Sequence, residues 1–175
     1  VAAHQKGEHA LACSLIETAI SLEPARADYH SNLAQALRAE GAEAAARNAL
    51  ARALTLDPLH AKALANLASL LRAQGRFAES LAMAERAAAA APADPEVHNN
   101  IGNALKDAMH SEEAIAAYDR ALALAPDFAL AHWNRALTLL ALGRYADGFA
   151  EAEWRRRLHG FPSPPRVYDA PLWKC

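Results

Sequence analysis

ADYHSNLAQALRAEGAEAAARNALARALTLDPLH, residues 27–60, is the stretch that decides the fold. One run free of helix breakers ends at Gly41, and a second, rich in alanine, ends at Asp57 and Pro58. Glycine takes the left-handed backbone that closes a helix, and proline lacks the amide that would continue one. The stretch therefore reads as two helices joined by a tight turn and followed by a proline-marked turn. The punctuation recurs at a fixed interval: Pro24, Pro58, Pro92 and Pro126 are each 34 residues apart. Gly7, Gly41, Gly75 and Gly143 keep that register, as do Ala19, Ala53, Ala87 and Ala121, and Leu37, Leu71, Leu105 and Leu139. A helix pair repeated in this way is a stack, because each unit can bury its apolar face only against its neighbours.

The register divides the chain into a partial unit at 1–26, full units at 27–60, 61–94 and 95–128, a terminal helix pair at 129–158, and a proline-rich segment at 159–175. In each unit a helix A precedes the glycine and a helix B follows it. Helix A is expected over Ala27–Glu40, Ala61–Gln74, Pro95–Ala108 and Ala129–Leu142. Val1 falls inside a helix A, so the partial unit should hold the end of that helix, a turn at Gly7 and a B helix from about Glu8 to Ser21. Small residues recur where helices must approach closely: Ala34, Ala68, Gly102 and Ala136 in helix A, and Ala12, Ala46, Ser80, Ala114 and Gly148 in helix B. Met109 stands where the other units have the turn glycine, so that turn must avoid positive φ or carry strain. Pro162, Pro164, Pro165 and Pro171 rule out a regular helix in the last segment and suggest an extended linker or tail with aromatic anchors at Tyr168 and Trp173.

Over residues 1–158 this register and these residues resemble the tetratricopeptide repeat (TPR) family. The resemblance implies an all-α, right-handed α-solenoid of antiparallel helix pairs, with the A helices lining a concave groove that binds protein or peptide.

Composition narrows the function classes. With 18 basic and 20 acidic residues the formal charge is −2, which supplies no global field for nucleic acid or an anionic membrane. No apolar run approaches the ~20 residues of a bilayer span, so no membrane insertion is expected. Cys13 and Cys175 form neither a disulfide framework nor a metal motif, and a reducing, cytoplasmic setting follows as the default. No phosphate-cradling loop and no nucleophile or paired-carboxylate set is present, so neither catalysis nor a cofactor is expected of this chain. His30, His98 and His132 share one repeat position, but stacked units lie ~10 Å apart while metal ligands converge within ~2.1 Å of the ion, so no metal site is expected.

Numbering each unit so that its closing proline is position 32, and turning 100° per residue along helix A, puts positions 4, 7, 8 and 11 on a core side. Positions 2, 5, 6, 9, 12 and 13 fall on a free side. Position 6 of that free side is asparagine in every unit: Asn32, Asn66, Asn100 and Asn134. An amide both donates and accepts, so such a column can pair with the backbone of an extended peptide whatever its side chains. The column resembles the asparagine ladder of O-GlcNAc transferases, where it holds substrate polypeptide. The opposing reading is that each asparagine bonds a neighbouring repeat.

Beside the column, position 9 carries Gln35, Ser69 and Asn103, and position 12 carries Arg38, Arg72 and Lys106. This basic row suits an acidic peptide, or else offsets the helix dipoles at the C-termini. Trp133 adds an aromatic ring to the same face. The carboxylate clamp of the family's chaperone-tail binders is not matched, since position 5 holds Ser31, Ala65 and Asn99 and the arginine due at position 6 is asparagine. At the C-terminal end, EWR at 153–155 and PLW at 171–173 resemble bacterial proteins in which TPR units precede a glycosyltransferase-like domain. The readings in play are thus a peptide-binding scaffold, a self-associating scaffold using its open ends or tail, and the recognition arm of a larger glycosyltransferase-like protein.

Overall fold

A computed structural model describes residues 2–158, with side chains from His9 onward. Among the described residues there are nine α-helices and no strand: α1 (Ala2–Leu22), α2 (Ala27–Ala39), α3 (Glu43–Leu56), α4 (Ala61–Ala73), α5 (Phe77–Ala90), α6 (Pro95–Asp107), α7 (Ser111–Leu124), α8 (Ala129–Ala141) and α9 (Tyr145–Ala152). A 3₁₀ turn, Glu153–Arg157, closes them. The A helices α2, α4, α6 and α8 begin where the sequence placed them and stop one residue earlier, because Glu40, Gln74, Ala108 and Leu142 serve as caps. Each A helix packs on its own B helix and on the preceding and following units, giving the α-solenoid.

Two expectations change. Gly7 does not form a turn: α1 runs unbroken from Ala2 to Leu22, keeping the backbone hydrogen bonds that a break would forfeit. The EWRRR stretch tightens into the 3₁₀ turn where a B helix running to Leu158 was expected. The expectations for residues 159–175 lie outside the described residues.

The turns work as the punctuation implied. Gly41, Gly75 and Gly143 adopt φ of 83°, 74° and 77°, and the amide beyond each reaches back to a helix carbonyl, as from Ala42 to Leu37 at 2.8 Å. Met109 takes the same geometry at φ 67°, and His110 bonds back to Leu105 at 2.9 Å, so this turn carries the strain that glycine avoids elsewhere. Histidine at position 4 secures the other turn. Nε2 of His30, His98 and His132 lies 3.1, 2.8 and 2.7 Å from the carbonyl oxygen of Pro24, Pro92 and Pro126 respectively. Where Leu64 replaces that histidine, Nδ1 of His60 instead accepts from the Ala63 amide and so caps α4.

The core is a series of small clusters at successive junctions, built largely from alanine: Ala34, Ala46, Leu50 and Leu70 in one, Leu64, Ala87 and Val97 in the next, then Leu105, Ala114 and Tyr118. Position 8 shows how tightly sizes are matched. It is alanine in three units, facing Leu50, Ala84 or Ala152 at position 24, but Gly102 in the unit whose position 24 is the fully buried Tyr118. A Cβ at Gly102 would lie 2.6 and 2.8 Å from ring atoms Cδ1 and Cζ.

At the last unit Arg135 takes the position of Leu33, Leu67 and Ile101. Its guanidinium lies 2.7 Å from Asp119 and 2.8 Å from Glu151. His132 reaches Glu151 at 2.6 Å and stacks on Trp154 at 3.9 Å, and the Arg157 guanidinium lies over that indole, 4.2 Å from the ring centroid. These contacts hold α9 and the 3₁₀ turn on α8.

Candidate functional site: the A-helix face

The A helices stand side by side, and their polar residues meet across the seams in a regular way. Position 5 of one unit meets position 6 of the next: the Asn66 amide donates to Ser31 Oγ at 3.2 Å, and the Asn134 amide to Asn99 Oδ1 at 2.9 Å. Position 9 also meets position 6, with Gln35 Nε2 donating to Asn66 Oδ1 at 3.2 Å. Position 12 meets position 13, as Arg72 pairs with Asp107 at 2.8 Å. Position 5 therefore belongs to the seam and not to the free side. Ser31 and Asn99 are only 1% and 3% exposed because the next A helix covers them.

This pairing rule sorts the predicted site residues into two sets. Asn66, Asn134, Gln35 and Arg72 are engaged across seams, and Asn134 is only 9% exposed. Asn103 is held from its own unit, where its Oδ1 accepts from the Tyr118 hydroxyl at 2.9 Å. That phenol is pushed well above its ordinary range, chiefly by burial, with Thr138 and Arg72 acting against the shift.

Asn32, Asn100, Arg38 and Lys106 form the second set and make no side-chain hydrogen bond or ion pair with the described residues. The reason is legible in the neighbouring unit. Asn100 faces position 5 of the second unit, which is Ala65, and Arg38 and Lys106 face Ala73 and Ala141 at position 13, where Arg72 finds Asp107. Trp133 is half-buried at position 5 of α8. Wheel geometry placed these residues on one face but missed which were already satisfied. The signal was present at positions 5 and 13, read one repeat away.

Charge divides along two of the helices. In α2 and α6 an acid at position 2, Asp28 or Glu96, is followed some 15 Å along the helix by a cation at position 12, at 1.5 Å per residue, whereas in α4 both positions are basic, Lys62 and Arg72. Asp28 is partnered by His60 at 3.1 Å. Two depressions lie away from the asparagine column: one of about 410 Å³ beside Pro95, Pro126 and Phe128 at an inter-repeat turn, and one of about 310 Å³ between α3, α4 and α5, lined by Arg47, Leu67, Leu71 and Met83. No described helix is long and apolar enough to cross a membrane. No group of three or more potential metal ligands occurs among the described residues.

Comparison with known proteins agrees with this architecture. A family model described as tetratricopeptide repeat matches residues 37–101, and one described as TPR repeat matches 111–143, together more than half of the chain. No curated protein matches. Among solved structures, a thermophilic TPR protein of Thermus thermophilus superposes with a TM-score of 0.77 at 20% identity, over 86% of this chain and 89% of its own. PilF of Pseudomonas aeruginosa gives 0.75 at 21% identity, over 87% and 70%. An O-GlcNAc transferase of Thermobaculum terrenum gives 0.70 at 27% identity, over 75% of this chain but only 26% of the transferase.

Proposed function

The chain belongs to the tetratricopeptide repeat family, and from that premise we propose that it is a protein-binding scaffold whose A-helix face holds an extended peptide segment. TPR arrays in general bind proteins or peptides. The observation that carries the reading here is that Asn100, Arg38 and Lys106, with Asn32 on the same face, make no side-chain hydrogen bond or ion pair with the described residues. Asn100 is the residue best suited to grip a peptide backbone, because its amide can donate and accept at once. Arg38 and Lys106 favour carboxylates on the ligand. Asn66 and Asn134, by contrast, serve the stack. A reducing, cytoplasmic setting fits the free thiol of buried Cys13.

The test is an array of extended peptides probed with the native chain, Asn100→Ala/Lys106→Ala, and Asn66→Ala. The double variant should lose capture with its helicity intact, whereas Asn66→Ala should chiefly lower stability. Undiminished capture by the double variant would move the site off this face.

A second reading, that the array is the recognition arm of a larger glycosyltransferase-like protein, is favoured by the 27% identity to the transferase repeats. Sequencing the parent gene beyond Cys175 decides it, since a stop codon or an unrelated domain there ends the idea.

A further inference from the structure

We propose that the peptide taken by this face is bipartite: a carboxylate-bearing stretch lying over Arg38 and Lys106, joined to a stretch of large apolar side chains lying over the last A helix. The proposal rests on the peptide-binding reading above and adds the ligand's chemistry.

The A-helix face changes character between the third and fourth units. Positions 2, 5, 9 and 12 read Asp28, Ser31, Gln35 and Arg38 in α2, then Lys62, Ala65, Ser69 and Arg72 in α4, then Glu96, Asn99, Asn103 and Lys106 in α6. In α8 they read Leu130, Trp133, Leu137 and Leu140. In the earlier units these positions supply the seam bonds and the basic row. In α8 they supply no charge, and Leu130 and Leu137 stand 42% and 38% exposed. α8 presents a short leucine stripe, Leu130 and Leu137, about 10.5 Å apart along its axis at 1.5 Å per residue, while Leu140 packs against Gly148 of α9.

The pairing rule joins the two surfaces. Position 12 meets position 13 of the next unit, so Lys106 faces Ala141, one helical turn from Leu137. A peptide crossing from α6 to α8 thus passes from a cation that pairs with no described residue onto leucine. A wholly acidic peptide would set charge against that stripe, and a wholly apolar one would leave the ammonium group without a counter-ion. Only a ligand with carboxylates toward α2 and bulky apolar side chains toward α8 complements both halves.

The test is fluorescence anisotropy on the full chain with four synthetic peptides: acidic then apolar, the same composition scrambled, acidic alone, and apolar alone. The bipartite peptide should bind at least ~10-fold tighter than the other three, a step of 1.4 kcal/mol. Leu137→Glu should remove that advantage while leaving the acidic peptide unaffected. Lys106→Glu should weaken both the bipartite and the acidic peptide and flatten their salt dependence. Circular dichroism checks that both variants fold.

Equal binding of the acidic and bipartite peptides, unchanged by Leu137→Glu, would overturn this inference while sparing the peptide-binding reading. No binding of any peptide would sink both. A concentration-dependent mass abolished by Leu137→Glu would overturn the inference by assigning the stripe to a second copy of the chain.

Discussion

Gly102→Ala tests the reasoning about size matching in the solenoid, because its sign should reverse with one other substitution. In an ordinary helix interior the change stabilises by about 0.5–1 kcal/mol, since alanine loses less backbone freedom on folding. At position 102 the new methyl would lie 2.6 and 2.8 Å from Cδ1 and Cζ of Tyr118. That ring is fully buried, and its hydroxyl is tied to Asn103 at 2.9 Å, so it has little room to slide. Overpacking of this kind costs about 1–3 kcal/mol, leaving a net loss of about 1–2 kcal/mol. In a Tyr118→Leu background the pair becomes alanine facing leucine, the combination that Ala34 and Leu50 already form two units away. There Gly102→Ala should stabilise by about 0.5–1 kcal/mol. The four proteins of the cycle are compared by urea denaturation followed by circular dichroism, and the coupling should approach about 2 kcal/mol. A stabilising Gly102→Ala in the native background would refute the argument.

Three further outcomes are expected. Met109→Gly should stabilise by about 1 kcal/mol through release of the left-handed strain at φ 67°, raising Tm by about 2–4 °C, measured by thermal melting. Tyr118 is held protonated to higher pH in the folded chain than in the unfolded one, so its stabilisation is complete below the ordinary phenol value near pH 10. It is lost above that at about 1.4 kcal/mol per pH unit, so Tyr118→Phe should flatten the alkaline fall in urea midpoint. Asn66→Ala, which leaves Ser31 and Gln35 without their partner, should cost about 1 kcal/mol, while Asn100→Ala should stay within about 0.5 kcal/mol in the same denaturation assay.

The architecture was open to reading because its causes are local and repeated. Gly41, Gly75 and Gly143 need positive φ, the prolines end the B helices, and the position-8 alanines meet a close neighbour in unit after unit. Gly7 departs from the rule, since α1 continues through it. The candidate site was harder. A helical wheel describes one helix in isolation, whereas satisfaction of Asn66 or Arg72 depends on a residue one repeat away. Burial of Ser31 and Asn99 likewise comes from the next A helix. The three position-4 histidines gave no signal of their role, since a bond to a proline carbonyl six residues earlier depends on how the intervening turn folds.

The seam and the ligand face therefore compete for the same side chains, and Ala73→Asp would expose that competition. Ala73 holds position 13 of α4, as Asp107 does in α6, and Asp107 pairs with Arg72 at 2.8 Å. An aspartate at 73 is placed to take Arg38 in the same way. The new ion pair is part-exposed and contributes about 0–1 kcal/mol, while an acid in the last turn of a helix costs about 0.3–1 kcal/mol against the dipole. Stability should then change by less than about 0.5 kcal/mol, yet the face loses one of the two position-12 cations that pair with no described residue. An acidic peptide should bind more weakly, with a shallower log K against log salt slope. Unchanged affinity with unchanged slope would mean that Arg38 never met the ligand, and that its freedom from the seam has no bearing on what the groove holds.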